Sequence, residues 1–279
     1  MERRSTLLVI TGASRGIGRA IGTAFAQAIG ESVRAILIGR HQKDLMETQR
    51  QMGLQDVVLH IADLSYLSML DDSINVIMET ARPWDQYKRV IVVNNAGSMG
   101  HLGPTTMMTN LQAFQEYVNL NITSSLWFTT RFARELQPYA DKMDCTFINM
   151  SSLCAVSPVP TMAPYCTGKA ARDMFHACLA KEIPSSSIKI LNWAPGAVQT
   201  DMTDLIRANS DLMDDSVATW YREAHESGSL LLPSKTAQKL VQLVLSGDFQ
   251  SGAHIDYWDF GDDAKIEEEN LAAISNTSK

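Results

Sequence analysis

Tyr165 and Lys169 stand four residues apart, and Ser152 precedes the tyrosine by thirteen. On a helix, positions i and i+4 share a face, so the phenol and the ammonium would meet at one site. A cation beside a phenol stabilises phenolate and draws its pKa down from about 10. The Ser152 hydroxyl would orient a carbonyl while Tyr165 gives or takes a proton. This is carbonyl–alcohol redox chemistry, provided a hydride donor lies alongside.

The N-terminal segment reads as the holder of that donor. Leu7-Leu8-Val9-Ile10 is a short apolar run, and Thr11-Gly12-Ala13-Ser14-Arg15-Gly16-Ile17-Gly18 follows it. A helix is expected next, with Ala20, Ile21, Ala24, Phe25 and Ala28 on one stripe. Strand, glycine turn and helix N-terminus make a phosphate cradle, because outward N–H groups and the helix dipole favour an anion. The alternative is that the glycines serve tight packing only. The second strand, Val33 to Gly39, ends at Arg40 and His41, where an NAD enzyme usually carries an acid. Arg15 and Arg40 together would suit a ribose 2′-phosphate, which favours NADPH over NADH. As isolated residues they would be ordinary surface charges.

The elements needed to position these groups are legible. Strands are expected at Val57 to Ile61, Val90 to Val93, Thr146 to Met150, Ile188 to Trp193 and Ala253 to Tyr257. Helices are expected over about 65–80, 110–139, 164–182 and 234–246, with a long mixed excursion from Met202 to Gly228. This alternation predicts an α/β, doubly wound, Rossmann-like parallel sheet of about seven strands, helices on both faces, in one domain over residues 1–262. Residues 263–279 read as an acidic, polar tail, expected to be disordered. Ligands in such sheets bind beyond the carboxyl ends of the strands, where the glycine turn, Arg40, Asp63, Asn94, Ser152 and Pro195-Gly196 should converge.

Composition narrows the classes. The 279 residues carry a formal net charge of −7, with no basic cluster that would suggest nucleic acid. The apolar runs are too short to cross a bilayer, and the first residues do not read as a secretory signal. Cys145, Cys154, Cys166 and Cys178 show no Cys-x-x-Cys pair, and the six histidines show no zinc spacing, so no metal is expected. Reduced thiols suit a cytoplasmic protein.

Taken together, Thr11-Gly12-x-x-x-Gly16-x-Gly18, Asn94-Asn95-Ala96-Gly97, Ser152, Tyr165-x-x-x-Lys169 and Pro195-Gly196 resemble the short-chain dehydrogenase/reductase family, over residues 7 to about 258. A closer likeness, to the pterin-reducing members, is carried by 149–155, 165–174 and Ser251-Gly252-Ala253-His254-Ile255-Asp256. The resemblance implies that NADPH reduces side-chain ketones of pterins, in tetrahydrobiopterin biosynthesis, with Ser152, Tyr165 and Lys169 catalytic. It implies Asn121 as a further catalytic residue in a water-linked proton relay; the alternative is an interior amide bonded only to backbone. Gly12, Ser14, Arg15, Gly16, Ile17, Gly18, Arg40, His41, Ala62, Asp63, Leu64, Asn94, Tyr165, Lys169, Val198, Thr200, Asp201 and Met202 would hold the cofactor. Asp63 could equally cap the helix after it. Ser152, Leu153, Tyr165, Gly196 and Asp256 would hold substrate, with Asp256 gripping the amino and ring N–H edge of the pterin. Trp193 and Met202 are readable as ring walls or as core, and Met107 and Met108 as a pocket edge or gap filler. The family implies a flap over substrate from the excursion, and a homodimer through the two long helices. The alternatives are a general diketone or xenobiotic carbonyl reductase and, in another class, a non-catalytic NADP-binding sensor.

Overall fold

The computed structural model describes residues 4–183 and 187–259. The expected tail at 263–279 and the domain limit at 262 lie outside the described residues.

Apolar side chains run without alternation along the central strands, so both faces of each strand must be covered. In β1 (Arg4–Thr11), Leu7 and Val9 enter one core and Leu8 and Ile10 the other. In β2 (Val33–Gly39), Ile36 and Ile38 are divided in the same way from Ala35 and Leu37. β3 is Val57–Ile61, β4 Tyr87–Asn94, β5 Asp144–Met150, β6 Ile188–Ala194 and β7 His254–Asp256. All are parallel, in the order β3-β2-β1-β4-β5-β6-β7. The order reverses between β1 and β4, which opens a crevice at their carboxyl ends.

Helices α1 (Gly16–Ile29), α2 (Gln42–Met52) and α3 (Leu67–Ala81) follow the first three strands. The stripe on α1 differs from the expected one. Gly18, Ile21, Gly22, Ala24, Phe25 and Ala26 are buried, whereas Ala28 is exposed. Gly22 lets the helix close on Met52 of α2, which rotates the buried face away from Ala28.

The expected helix at 110–139 is a composite. α4 (Leu111–Val118) and α5 (Ser125–Leu136) are joined by a π-helical segment, Asn119–Ser124. Wide turns of this kind recur at functional sites, and Asn121 lies within this one. α6 (Ala163–Glu182) begins with Pro164 in its first turn, where a missing N–H costs nothing. The excursion after β6 folds into α7 (Asp201–Ala208) and α8 (Asp215–Glu226), and α9 (Pro233–Ser246) then packs along α1.

Candidate active site

Gly12 has φ +66°, and its position turns the chain out of β1. Asn95 donates through Nδ2 to the carbonyls of Thr11 (3.0 Å) and Gly12 (2.9 Å). Thr11 Oγ1 in turn accepts from the N–H groups of Asn95 (3.0 Å) and Ala96 (3.1 Å). The glycine turn and the end of β4 are therefore one cross-linked unit.

A cavity of about 470 Å3 opens over that unit. Gly12, Ser14, Arg15, Gly16, Ile17, Gly18, Arg40, Ala62, Asp63, Leu64, Thr200, Asp201 and Met202 line it, as expected from the sequence. Its size and its concave glycine wall suit a dinucleotide. Arg19, Ile38, Gly39, Asn95, Ala96, Gly97, Leu120 and Gln199 complete the wall and were not among the expected residues. The Asn-Asn-Ala-Gly segment held the signal for Asn95, but the preceding asparagine was expected instead.

Five expected cofactor residues, His41, Asn94, Tyr165, Lys169 and Val198, lie outside this wall. Asn94 is buried beneath the floor and donates through Nδ2 to Thr129 Oγ1 at 2.5 Å, because it still belongs to β4 and strand alternation turns it inward. His41 stands before α2 with an exposed side chain and is not part of the cavity wall. Val198 is buried, and its carbonyl accepts from the Thr203 hydroxyl at 3.1 Å.

Arg15 and Arg40, both in the cavity wall, have carboxylate partners. Arg15 pairs with Asp201 at the start of α7, and Arg40 lies 3.6 Å from Asp63. Burial works against the Asp63 charge, but hydrogen bonds from Ser65 and the Arg40 cation hold its carboxyl below the usual range. Asp63 Oδ1 accepts from Ser65 N–H (2.9 Å) and Oγ (2.7 Å), which forms a turn ahead of α3 rather than its N-cap.

Ser152, Tyr165 and Lys169 come together beyond the cavity, at the ends of β5 and α6. Ser152 Oγ accepts from Cys154 N–H at 3.2 Å. Lys169 Nζ donates to Met150 O at 2.5 Å and lies 5.5 Å from the Tyr165 ring centroid. Tyr165 sits in an apolar cluster with Met99, Leu102, Met162, Ile206, Met213 and Val217. Ile206 of α7 and Val217 of α8 thus make the excursion a cover over the phenol.

The direction of the Tyr165 shift is opposite to the lowering expected from the Tyr-x-x-x-Lys spacing. Burial pushes the Tyr165 phenol upward, and the Ser152 hydroxyl pulls only partly against it. Burial, with Arg172 nearby, brings Lys169 down to about 7. In both groups desolvation by burial is the leading cause of the shift. Burial thus favours the protonated phenol, the form that can give a proton.

A stability test follows from this inversion. The folded-state value for Lys169 lies below its unfolded value of about 10.4, so folding expels a proton between these limits. Stability from this group rises as pH climbs from about 7 to 10, and its penalty is fully present below 7. Lys169→Met is expected to raise the urea midpoint of the cofactor-free chain near pH 7, by a margin that shrinks toward pH 10. A margin constant with pH would contradict the assignment.

Asn121 accepts from Ser98 N–H (2.8 Å) and donates to Ser98 Oγ (2.9 Å) and Tyr117 O (3.0 Å). It ties the π segment to the loop after β4 and is bonded to more than backbone. Leu153 lies in a short turn after Ser152, and Gly196 (φ +74°) brings the chain against Leu231 and Trp258. Trp193 is fully buried, donating to Thr236 Oγ1 at 3.2 Å, and so is core; Met202 lines the cavity; Met107 is exposed.

Asp256 is buried at the end of β7, and its Oδ1 accepts from Trp258 N–H at 3.1 Å. A polar layer that sequence reading missed lies below the site. Arg172 is fully buried, donating to Asn149 Oδ1 (2.7 Å) and to the carbonyls of Ala96 (3.1 Å) and Asn94. It holds the floor under the loop after β4, and burial lowers its pKa to about 10.

A doubly wound sheet that brings a glycine-walled cavity and a Ser-Tyr-Lys group to one edge defines an oxidoreductase of CH–OH groups. The short-chain dehydrogenase family profile matches residues 6–211, and the chain belongs to the short-chain dehydrogenase/reductase family. Sepiapterin reductase of Meriones unguiculatus is 36% identical over 256 residues, covering 90% of this chain and 95% of that protein. Benzil reductase ((S)-benzoin forming) of Bacillus cereus is 30% identical over 251 residues, covering 88% and 96%. Among solved structures, the KRED1-Pglu enzyme superposes with a TM-score of 0.77 at 23% identity, covering 90% of this chain and 100% of that one. A single-site variant of actinorhodin polyketide ketoreductase with NADPH gives 0.75 at 19%, covering 92% and 97%. Family membership makes the chain an oxidoreductase rather than a cofactor-holding sensor.

Proposed function

We propose that this chain is an NADPH-dependent reductase of side-chain ketones of pterins, acting on sepiapterin and 6-pyruvoyl-tetrahydropterin in tetrahydrobiopterin biosynthesis. The observation that carries the reading is the 36% identity to sepiapterin reductases across 90% of the chain. The cavity lining supports the cofactor part. Gly12, Gly16 and Gly18 leave room for a pyrophosphate, while Arg15 and Arg40 offer planar donors to a 2′-phosphate. That phosphate would take the place of Asp201 and Asp63 as the partner of these cations.

When bound, the dinucleotide supplies hydride to the carbonyl carbon. Ser152 Oγ orients the carbonyl oxygen, and the Tyr165 hydroxyl donates its proton to that oxygen as negative charge develops there. Lys169 supports the phenol from one helical turn away, and Asn121 holds the floor between them and the loop at Ser98. α7 and α8 keep water from the reacting carbonyl. Asp256 accepts from the amino and ring N–H groups of the pterin and so fixes which end reaches Tyr165.

Arg40→Ala is expected to raise KM for NADPH about tenfold while KM for NADH moves less than twofold, because a charge-assisted contact to phosphate is worth about 1.5–3 kcal/mol. Equal changes for both cofactors would remove the 2′-phosphate assignment. Asp256→Ala is expected to raise KM for sepiapterin about tenfold or more relative to its effect on a simple diketone. Unchanged sepiapterin kinetics would sink the anchor. The 30% identity to benzil reductase favours the diketone reading as the second choice. NADPH oxidation with sepiapterin and with benzil, followed by absorbance, decides between the two.

The same reading places the enzyme in the cytoplasm as a homodimer. Four free cysteines, and no helix among the described residues long and apolar enough to cross a membrane, accord with the first. Exposed Leu111 and Phe114 on α4, with Met174 on α6, accord with the second. The proposed domain comprises residues 1–262.

A further inference from the structure

His254 opens β7, two residues before Asp256, so both side chains point to the same face of the strand. That face meets α6. His254 Nδ1 donates to Asp173 Oδ2 at 2.6 Å. Asp173 lies two turns after Tyr165 and one after Lys169, on the helix that carries both. Its other oxygen accepts from Asn149 Nδ2 at 2.9 Å, and the same Nδ2 donates to Asn192 Oδ1 at 2.9 Å. Asn192 is the register partner of His254 across β6 and β7, and its own Nδ2 reaches Asp173 O at 3.3 Å. Ser151 Oγ, next to Ser152, lies 3.4 Å from the same imidazole nitrogen.

β7 needs such a tether. Among the described residues it is an edge strand of three residues, paired on one side only, and edge strands this short have few backbone bonds to hold their register. Its carboxyl end nevertheless presents the residue assigned above to the substrate. A shift of one residue would turn the Asp256 carboxylate to the opposite face. The Asp173–His254 bond is a direct side-chain link from this strand to the catalytic helix. A carboxylate–imidazole bond in a mostly buried setting is stronger than one between neutral groups.

We propose that His254, held by Asp173, is a positioning residue that aims Asp256 at the pterin, and so sets the enzyme's preference for donor-bearing ring substrates over simple diketones. The proposal rests on the reading of Asp256 as the pterin anchor. His254 touches no substrate; it acts through the register and orientation of β7.

The test compares kcat and KM for sepiapterin and benzil, with NADPH, in wild type, His254→Ala, His254→Asn, Asp256→Ala and the His254→Ala/Asp256→Ala double variant. Asparagine places an amide donor where the imidazole carries Nδ1–H, so it can keep the bond to Asp173. The ratio of kcat/KM for sepiapterin to that for benzil is expected to fall about tenfold in His254→Ala, through KM for sepiapterin. It is expected to return to within about threefold of wild type in His254→Asn, and His254→Ala is expected to add nothing once Asp256 is alanine. Equal losses on both substrates would mark a merely structural role and overturn the proposal. So would an unchanged ratio in His254→Ala with a lowered one in Asp256→Ala, an outcome that leaves the anchor standing. An unchanged ratio in Asp256→Ala removes the anchor and the proposal with it. Should His254→Ala fail to fold, His254→Gln, whose amide sits one bond farther out, must show the same fall.

Discussion

Tyr165→Phe is expected to lower kcat for ketone reduction by about 10²–10⁴, the range for losing a positioned acid, with NADPH affinity and KM within about twofold. The ring stays and only the hydroxyl goes, so packing against Met99, Met162, Ile206 and Val217 is retained. The loss belongs to the transition state because the alkoxide exists only there. Burial favours the protonated phenol, whose proton is then the one at hand for the alkoxide. Single-turnover hydride transfer, followed by NADPH absorbance, is the direct measurement. Undiminished turnover in the variant would remove Tyr165 as the acid and shift attention to Ser152 or to water.

Gly18→Ala is expected to abolish measurable dinucleotide binding, weakening it by about 100-fold or more, and to cost about 1–3 kcal/mol of stability through overpacking. A Cβ at Gly18 would come within 2.3 Å of Gly12 O and 2.5 Å of Asn95 Nδ2. Neither neighbour can give way: the first is backbone at a left-handed turn, and the second is the amide that ties the turn to β4. Gly22→Ala, one helical turn later, is the control. Its Cβ would meet Met52 Sδ at 3.2 Å, the flexible end of a side chain, and alanine favours the helix by about 0.5–1 kcal/mol. Thermal unfolding and NADPH fluorescence titration of both variants check the contrast. Similar behaviour of the two would mean that the turn adapts to a methyl group, contrary to the cross-linked geometry.

The order of the strands, and of the helices other than α2, α7 and α8, could be read in advance because each signal is local. Leu7-Leu8-Val9-Ile10 is apolar on both faces, and only a strand covered on both sides accepts that. The parallel sheet then brings the ends of β1, β2 and β4 to one crevice, which is why residues as distant as Gly12, Arg40 and Met202 line one cavity. Positions where neighbours compete were less legible. Asn94 and Asn95 are identical in type and adjacent, and only the end of β4 separates an inward amide from one that holds the glycine turn. The π segment at Asn121 leaves no mark in composition, since its extra residue is accommodated by contact with Ser98. The Asp173–His254 bond joins residues 81 apart in sequence, and neither the Tyr-x-x-x-Lys spacing nor the terminal strand pattern foretells it.

Residue types and their spacing were enough to place the doubly wound sheet, the glycine turn and the Ser-Tyr-Lys group, because periodicity and helical geometry act over a few residues. Tertiary structure alone decided the direction in which Tyr165 and Lys169 are shifted. Residues of α7 and α8 pack over Tyr165, Lys169 is buried beneath it, and desolvation depends on what the rest of the chain places around a charge rather than on its neighbour four residues away.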